Sequence, residues 1–475
     1  MRRAVSLLAL SLLTACGGGS GASTTAPVDG PPASGLSLPP VTGAPSRPAA
    51  QPGHLRLGPD WPTYHHDNSR GGYVGAGPDP QAPAVAWQAA LDGKVYASPL
   101  VVGGRVLAAT EGGSLYLLDG ETGRVLWRRH LADPIPAASQ PCGNIDPLGV
   151  TGTPVYDPAT HQAFAVTTQA GPRHVLFAVD AATGRVRSQR AVDAPGSVPA
   201  TQLQRGALLL AGHTVYIAYG GNLGDCGAYL GRVVAVPVAG GALRSFAVPT
   251  SREAGIWAAS GPAATPAGEV LVTTGNGAAA GGDWDHSDSV LRLSPALALQ
   301  DGFAPQGWAQ ENSVDADLGS TGPVLLPGGT QALAAGKGGS AYLVDIGHLG
   351  GVGGERASLR DCSSYGGAAA APVTGGGAVA YLPCSGGLLQ VRVQDGRLSR
   401  GWQAQGQVTG SPVVVGRTVW SVQQDGALYG LDAATGRQRA LVQVGNASRF
   451  ATPAASGNAL LIPTLRGVTA VRLTS

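Results

Sequence analysis

The chain contains 475 residues, of which 13% are charged, and its formal net charge of +2 gives no electrostatic basis for binding nucleic acid or an anionic membrane surface. Beyond the N-terminus, no segment approaches the roughly 20 apolar residues that a membrane-spanning helix requires. The 74 glycines suit a turn-rich, all-β body with enough apolar residues for an extended core.

The first predicted element is an export signal at residues 1–15. Two arginines precede an apolar run over residues 4–13, which is too short to span a membrane but has the length of a signal-peptide core. The sequence Leu-Thr-Ala-Cys16 that follows resembles the bacterial lipobox, which predicts that Cys16 is acylated and anchors the protein. The alternative is an ordinary secretory signal with an incidental cysteine. Both interpretations predict export. The first also predicts that the folded part of the chain lies on the outer side of a bacterial cell membrane, held by lipid alone.

Residues 16–57 are predicted to form a disordered tether. Glycine, serine, threonine, alanine and proline dominate this stretch, and no aromatic residue occurs between residues 17 and 60. An ordered sequence opens with Trp61. We therefore predict one folded domain over residues 58–475.

A short phrase then restarts roughly every 40 to 60 residues. Residues 96–127 read YASPLVVGGRVLAATEGGSLYLLDGETGRVLW, and residues 408–437 read VTGSPVVVGRTVWSVQQDGALYGLDAATGR. Each unit holds four short apolar runs separated by glycine-rich turns, which is the pattern of a propeller blade. The turn Asp-x-x-Thr-Gly-Arg leads into the fourth run, where Trp127 can cover the neighbouring blade.

Counting first strands gives eight units, which start near Tyr96, Gly149, Gln202, Ile256, Gly319, Tyr365, Val408 and Phe450. The last unit ends one strand short, whereas residues 84–88 resemble a fourth strand without a blade of its own. We therefore predict an all-β, eight-bladed propeller of four-stranded antiparallel blades, whose ring is closed by the N-terminal strand at residues 84–88.

Four cysteines remain after Cys16. An even number in an exported chain favours disulfides. The simplest pairing joins Cys362 to Cys384 in adjacent strands of one blade, and Cys142 to Cys226 between two loops. No Cys-x-x-Cys-His motif occurs, which predicts no covalent haem, and the scattered spacing argues against structural zinc.

The repeated phrase resembles that of quinoprotein propellers with pyrroloquinoline quinone (PQQ) type repeats, and of the non-catalytic envelope lipoproteins that share their fold. Residues 149–154, 275–277 and 315–320 are also similar to segments of soluble quinoprotein dehydrogenases. In those enzymes a tryptophan lies under the quinone, calcium polarises its carbonyl, and an aspartate removes the substrate proton.

The resemblance implies a site residue by residue. It gives the stacking role to Trp257, the calcium-ligand roles to Asn276 and Asp317, and the role of base to Asp317. Lys337 would meet the quinone oxygens, and the four residues would come from three blades. Each also has an ordinary structural interpretation: a core aromatic for Trp257, a left-handed turn for Asn276, a strand-entry turn for Asp317 and a hairpin lysine for Lys337.

Two departures weigh against the enzyme. No two cysteines are adjacent, so the cysteine ring of the dehydrogenases cannot form, and only Asn222 or Asp225 could replace their calcium-ligand glutamate. The acidic run at residues 283–288 is a weaker metal candidate, expected to be a solvated loop. The cluster His65-His66-Asp67 is a weak metal candidate too, and it is expected to be a surface turn.

Two functions therefore follow from the sequence. The first is a binding or scaffolding propeller of the cell envelope, which holds a protein or glycan partner. The second is a dehydrogenase that uses PQQ and calcium to oxidise an alcohol or sugar. The departures favour the first function, and the order of Trp257, Asn276, Asp317 and Lys337 favours the second.

Overall fold

Eight small sheets follow one another along the chain and form the blades of a propeller. The structure, a computed structural model, describes residues 54–78, 80 and 82–474. The predicted signal peptide, Cys16 and almost all of the predicted tether lie outside these residues. The first strands of successive blades contact one another, so they form the central ring of the propeller. The eight-bladed, all-β fold predicted from the repeats is confirmed.

The first four blades contain the following strands. Blade 1 has Leu100–Val102, Arg105–Ala109, Ser114–Asp119 and Val125–His130. Blade 2 has Val155–Asp157, Gln162–Gln169, Arg173–Asp180 and Val186–Ala191. Blade 3 has Gln202–Leu203, Leu209–Ala211, Thr214–Gly221, Arg232–Pro237 and Arg244–Ala247. Blade 4 has Ala263–Ala264, Val270–Thr273, Val290–Leu293, Leu299–Ala304 and the parallel Gly351–Val352.

The other four blades repeat the pattern. Blade 5 has Val324–Leu325, Gln331–Ala335, Ser340–Asp345 and Ala357–Arg360. Blade 6 has Ala369–Pro372, Ala378–Leu382, Leu389–Gln394 and Arg397–Gln403. Blade 7 has Val413–Val415, Thr418–Val422, Ala427–Asp432, Gln438–Gln443 and the parallel Tyr73–Val74. Blade 8 has Ala454–Ser456, Ala459–Thr464, Gly467–Arg472 and Ala84–Ala90.

Helices are short and lie between strands. Among residues 54–78, 80 and 82–474, one α-helix, Trp308–Ser313, separates blades 4 and 5, and the 3₁₀ turns are Ala137–Ser139, Pro199–Thr201 and Leu318–Ser320. In the part of the chain that the structure describes, no helix has the length and apolar character needed to cross a membrane.

The strand Ala84–Ala90 occupies the outer position of blade 8, where it pairs antiparallel with Gly467–Arg472. Its Trp87 donates from Nε1 to the carbonyl of Gly120 in blade 1, at 3.1 Å. The N-terminal strand thus links the last blade of the ring to the first.

A tryptophan on the outer strand of one blade covers the Asp-x-x-Thr-Gly-Arg turn of the next. Trp127 of blade 1 donates from Nε1 to the carbonyl of Ala181 in blade 2, at 3.1 Å, and its indole lies against Gly184. The same relation recurs between Trp87 and Gly123, and between Trp402 and Gly436. The repeated phrase therefore encodes both a local turn and a contact between blades.

Residues 56–74, here called the closing segment, run over one end of the propeller and contact every blade. The backbone N–H of Arg56 donates to Oδ1 of Asn458 in blade 8, and Trp61 pairs with Val101 of blade 1. Hydrogen bonds then reach blades 2 to 7 in order, at Tyr156, Leu210, Ala264, Leu325, Ala370 and Val414. The segment seals this end of the central ring.

The closing segment contains the His65-His66-Asp67 cluster, which was expected to be a surface turn. That expectation is wrong for His65, which is completely buried and whose Nδ1 lies 3.0 Å from the carbonyl oxygen of Arg70. Burial lowers the pKa of His65 to about 4. Asp67 accepts the N–H of Ser69 through Oδ1. These side chains lock the segment rather than forming a metal site.

Both predicted disulfides are present, with Cα separations of 6.0 Å for Cys142 and Cys226 and 4.9 Å for Cys362 and Cys384. The prediction that Cys362 and Cys384 lie in adjacent strands of one blade is wrong. Cys362 follows the outer strand of blade 5, and Cys384 follows the second strand of blade 6. The chain returns from the outside of one blade to the inside of the next at this point. The bridge therefore joins two blades instead of two strands of one blade.

Candidate functional site

The end of the propeller opposite the closing segment carries a group of cations and aromatic rings. The innermost strand of each blade, which is Leu209–Ala211 in blade 3, runs toward the closing segment. The residues just before these strands therefore lie at the opposite end. Arg205 of blade 3 contacts the ring of Phe450 of blade 8. Since these blades are not neighbours, the contact crosses the centre of the ring. We call this region the axial mouth and define it by Arg205, Trp257, Lys337, Tyr365, Arg449 and Phe450.

Three of the four residues predicted for the quinone site line one pocket of about 130 Å³, namely Trp257, Asn276 and Lys337. Trp257 precedes the first strand of blade 4, and Asn276 follows the second strand of that blade. Lys337 follows the second strand of blade 5. The predicted origin in three blades is therefore wrong, because these positions and Asp317 belong to two neighbouring blades.

Asp317 is completely buried and is not part of the pocket wall. Its Oδ2 lies 2.7 Å from Nζ of Lys337, and its carbonyl oxygen accepts the backbone N–H of Lys337. Burial raises the pKa of Asp317 to about 6, although Lys337 acts in the opposite direction. Burial alone would lower the pKa of Lys337, but Asp317 and Asp315 raise it above its ordinary value. The lysine and the buried aspartate therefore form an ion pair.

The proposed calcium ligands have protein partners. Asn276 donates from Nδ2 to Oε2 of Glu253 at 3.4 Å, and Asp317 is paired with Lys337. Asn222 donates to the carbonyl of Ala200. Asp225, the other possible substitute, accepts the hydroxyl of Tyr229 at 2.6 Å. Over residues 54–78, 80 and 82–474, no group of three His, Cys, Asp or Glu side chains could hold a metal ion.

The acidic run at residues 283–288 is folded into the structure rather than solvated throughout. Oδ2 of Asp285 accepts the hydroxyl of Thr250, and its Oδ1 accepts the backbone N–H of Ser287. Asp288 is completely buried, and its Oδ1 accepts the N–H of Leu318. Hydrogen bonds to the protein therefore take up both carboxylate oxygens of Asp285 and one of Asp288, whereas Oδ2 of Asp288 has no hydrogen-bond partner among the described residues.

Two cations lie over the indole of Trp257. Nζ of Lys337 is 5.2 Å from the ring centroid, and Cζ of Arg205 is 5.8 Å from it. Ligand and cofactor sites usually enclose about 300 Å³ or more, and the pocket is well below this size. As arranged here, these residues do not fit a flat quinone stacked on Trp257 with calcium beside it.

Sequence reasoning missed the rest of the axial mouth. Cζ of Arg205 lies 4.6 Å from the ring centroid of Phe450, and Cζ of Arg449 lies 5.8 Å from the same centroid. Arg449 also lies over Tyr365, at 4.2 Å. Aligning the repeats on their first strands would have revealed the signal, because these residues occupy similar positions just before those strands.

A buried glutamate beside the mouth was also missed. Glu111 is completely buried, and its Oε2 accepts the N–H of Gly149 at 2.7 Å. Within the described residues, its Oε1 has no hydrogen-bond partner. Burial raises the pKa of Glu111 to about 7, while the nearby Lys94 and Arg205 lower it.

These observations define the class of the protein as an eight-bladed propeller of PQQ-like repeats with a cationic, aromatic mouth at one end. The family model described as outer membrane protein assembly factor BamB matches residues 79–277 and 306–441. Since this match spans more than half of the chain, the chain belongs to that family. No curated protein sequence matches it.

Several solved structures share the fold. A quinohemoprotein alcohol dehydrogenase from Pseudomonas putida HK5 is 13% identical with a TM-score of 0.67, and the match covers 88% of this chain and 81% of that one. A europium-containing methanol dehydrogenase is 14% identical with a TM-score of 0.68, over 88% and 98% of the two chains. BamB from Moraxella catarrhalis is 17% identical with a TM-score of 0.53, over 83% and 100%. Identities this low show a common fold only.

Proposed function

We propose that this chain is a lipid-anchored, extracytoplasmic binding or scaffolding module of a bacterial cell envelope, which holds a protein or glycan partner at its axial mouth. The observation that carries the proposal is that the residues expected to bind the quinone or act as the base contact each other instead. Lys337 neutralises the buried Asp317, and Lys337 and Arg205 lie over Trp257. What the mouth presents to solvent is a set of cations that lie against aromatic rings, which suits recognition.

Two further features support the envelope location. Both disulfides are of the kind that persists in oxidising compartments outside the cytoplasm. The matched family is named for outer membrane protein assembly, which fits a partner in the envelope. Lipid anchoring through Cys16 rests on the sequence Leu-Thr-Ala-Cys alone.

The second candidate is a dehydrogenase that uses PQQ and calcium to oxidise an alcohol or sugar. One observation favours it: Trp257, Asn276 and Lys337 share one pocket, and Asp317, whose pKa is raised to about 6, contacts Lys337. Binding would require the side chains of Lys337 and Arg205 to leave the face of Trp257. The candidate is therefore open to a direct test.

The test places a photoreactive amino acid at Leu223, which is 61% exposed in the pocket wall, and compares it with Leu441, which is 50% exposed on the outer strand of blade 7. In cells that produce the full chain, we expect one discrete envelope partner to crosslink from position 223 and not from position 441. In parallel, the purified full chain is titrated with PQQ, with and without calcium, and followed by absorbance. Saturable quinone binding without any crosslink would contradict the scaffold proposal and favour the dehydrogenase. In that case Asp317→Asn should abolish alcohol oxidation.

A further inference from the structure

We propose that the axial mouth binds an acidic saccharide, whose carboxylate is held between Arg205 and Arg449 and whose hydroxyls are bound by the polar pocket beside Arg449. This proposal names the partner class of the binding function proposed above and rests on it. Its basis is two guanidinium groups that form no ion pair among the described residues, next to a pocket of mainly neutral hydrogen-bonding side chains. Burial lowers the pKa of Arg205, and the buried Glu111 acts in the opposite direction without forming an ion pair with it.

The two arginines share one aromatic ring. Cζ of Arg205 lies 4.6 Å from the centroid of Phe450, and Cζ of Arg449 lies 5.8 Å from it. Among the residues that the structure describes, neither guanidinium has an ion pair or a hydrogen bond. Burial lowers the pKa of Arg205 to about 10, so this side chain is still charged at neutral pH. Two like charges therefore face one another across the mouth, an arrangement that an anion stabilises.

Stacking also sets how these arginines can bind. A guanidinium that lies over a ring keeps its N–H donors at its rim, directed away from the aromatic face. Its planar fork then matches the two oxygens of a carboxylate. Cζ of Arg449 lies 4.2 Å from the ring centroid of Tyr365 and 5.8 Å from that of Phe450, and these contacts restrict the orientation of its guanidinium before a ligand binds.

A pocket of about 520 Å³ adjoins Arg449, within the usual range of ligand sites. Two of its polar side chains are charged, Arg449 and Asp425, and Oδ1 of Asp425 accepts the backbone N–H of Ala427. The other polar side chains are neutral: Tyr365, Ser385, Gln407, Thr409, Gln423 and Gln424. In the described part of the chain, the side chains of Gln407 and Gln424 make no hydrogen bond. Amides and hydroxyls that both donate and accept are suited to the many hydroxyl groups of a sugar.

The same pocket is poorly suited to an acidic peptide. Peptides are commonly recognised through free strand edges or through apolar pockets for alternate side chains. Pro383 and Val422 supply the only aliphatic side chains of this wall as described. The second strand of blade 7, Thr418–Val422, is paired on both sides and offers no free edge. The lining therefore favours a saccharide.

Calorimetric titration of the full chain in EDTA tests the proposal. The probes are a galacturonic acid hexasaccharide, its fully methyl-esterified form, which lacks the charge, and hexaglutamate. We expect saturable binding of the acidic sugar and at least tenfold weaker binding of the ester. In Arg449→Gln and in Arg205→Gln, the loss of one charge-assisted contact should weaken binding of the acidic sugar by about tenfold or more. Arg105→Gln, at an exposed arginine beside the closing segment, should leave binding unchanged.

Arg449 is exposed, so Arg449→Gln separates binding from folding even if Arg205→Gln unfolds the mouth. Absence of binding at millimolar acidic sugar, or hexaglutamate binding as tight as the sugar, would overturn the proposal. If Arg105→Gln weakened sugar binding equally, the effect would be one of net charge alone, and the proposal would be overturned as well. If the acidic sugar does not bind but a protein is crosslinked from position 223, only the proposed ligand class is wrong. If quinone binds and nothing is crosslinked, the proposed binding function itself is wrong.

Discussion

The indole of Trp127 covers the α-carbon of Gly184, where an added Cβ would lie 2.7 Å from ring atom Cδ2. Gly184 has φ +68°, a conformation that residues with a side chain adopt with strain. The glycine is thus required twice, once by the backbone of the turn and once by the tryptophan of the neighbouring blade.

Gly184→Ala should therefore destabilise the propeller by about 2 to 4 kcal/mol, because strain and overpacking add. Gly212→Ala separates the two effects, since Gly212 has φ +54° but no atom within 4 Å of an added Cβ. We expect that control to cost about 1 kcal/mol. Denaturant unfolding of the full chain measures both, and equal losses would show that the contact with Trp127 contributes nothing.

Removing the bridge between blades 5 and 6 should also destabilise the fold. The double variant Cys362→Ser with Cys384→Ser releases two side chains that are both 1% exposed. We expect a loss of roughly 2 to 4 kcal/mol in the free energy of unfolding, from a less constrained unfolded chain and two buried hydroxyls.

The bridge between Cys142 and Cys226 should be reduced before the bridge between Cys362 and Cys384. Cys142 and Cys226 are partly exposed, so a mild thiol should reach them first, as mass spectrometry of alkylated protein can show. Simultaneous reduction of both bridges would contradict this order.

Glu111 should make stability depend on pH. Burial raises its pKa from 4.5 to about 7, so the folded protein keeps a proton that the unfolded chain releases near pH 4.5. Stability from this group is therefore full below pH 4.5 and falls as the pH rises to about 7. Glu111→Gln should remove this loss and stabilise the protein at pH 8 by up to roughly 3 kcal/mol, with little change at pH 4.5.

Melting temperatures across this pH range measure the effect, with Glu121→Gln as the control at an exposed glutamate. Burial also raises the pKa of Asp317, so this residue too makes stability fall as the pH rises. Both variants retain that contribution. If Glu111→Gln keeps the pH dependence of the unmodified chain, the carboxylate is not held protonated.

The ion pair at the mouth predicts a strong coupling between its two members. Lys337→Met leaves the buried Asp317 carboxylate without its cation and should cost about 3 to 5 kcal/mol at pH 8. Combining it with Asp317→Asn should recover most of this loss, which a double-mutant cycle measures. Lys94→Met is the control, because the half-buried Lys94 donates to the carbonyl of Asp146 and forms no ion pair among the described residues. Additive losses in the cycle would mean that the two side chains do not interact.

The blades could be predicted from sequence because their signals are local. In the turn that begins at Asp119, one carboxylate oxygen accepts both the N–H and the hydroxyl of Thr122. The same contacts recur from Asp180 to Thr183 and from Asp432 to Thr435. A motif that carries its own hydrogen bonds folds alike wherever it occurs.

The axial mouth could be predicted only in part. Trp257 and Asn276 share a blade, so the spacing of the repeats was enough to bring them together. Arg205 and Phe450 meet across the centre of the ring, between blades that are far apart in sequence. The burial of Asp317 depends on how two blades pack, which no local pattern expresses.

The closing segment imposes an order on the assembly of the molecule. Its residues 56–59 bond to Ser456 and Asn458, so they have nowhere to dock until the last blade has been synthesised. Bringing ends so far apart into contact is slow, since loop closure must precede any stabilising contact. Once laid down, the segment bonds to all eight blades, so none can detach without breaking it. A chain truncated before blade 8 should therefore leave residues 56–59 of the closing segment without a docking site, and the intact ring should unfold as a single unit.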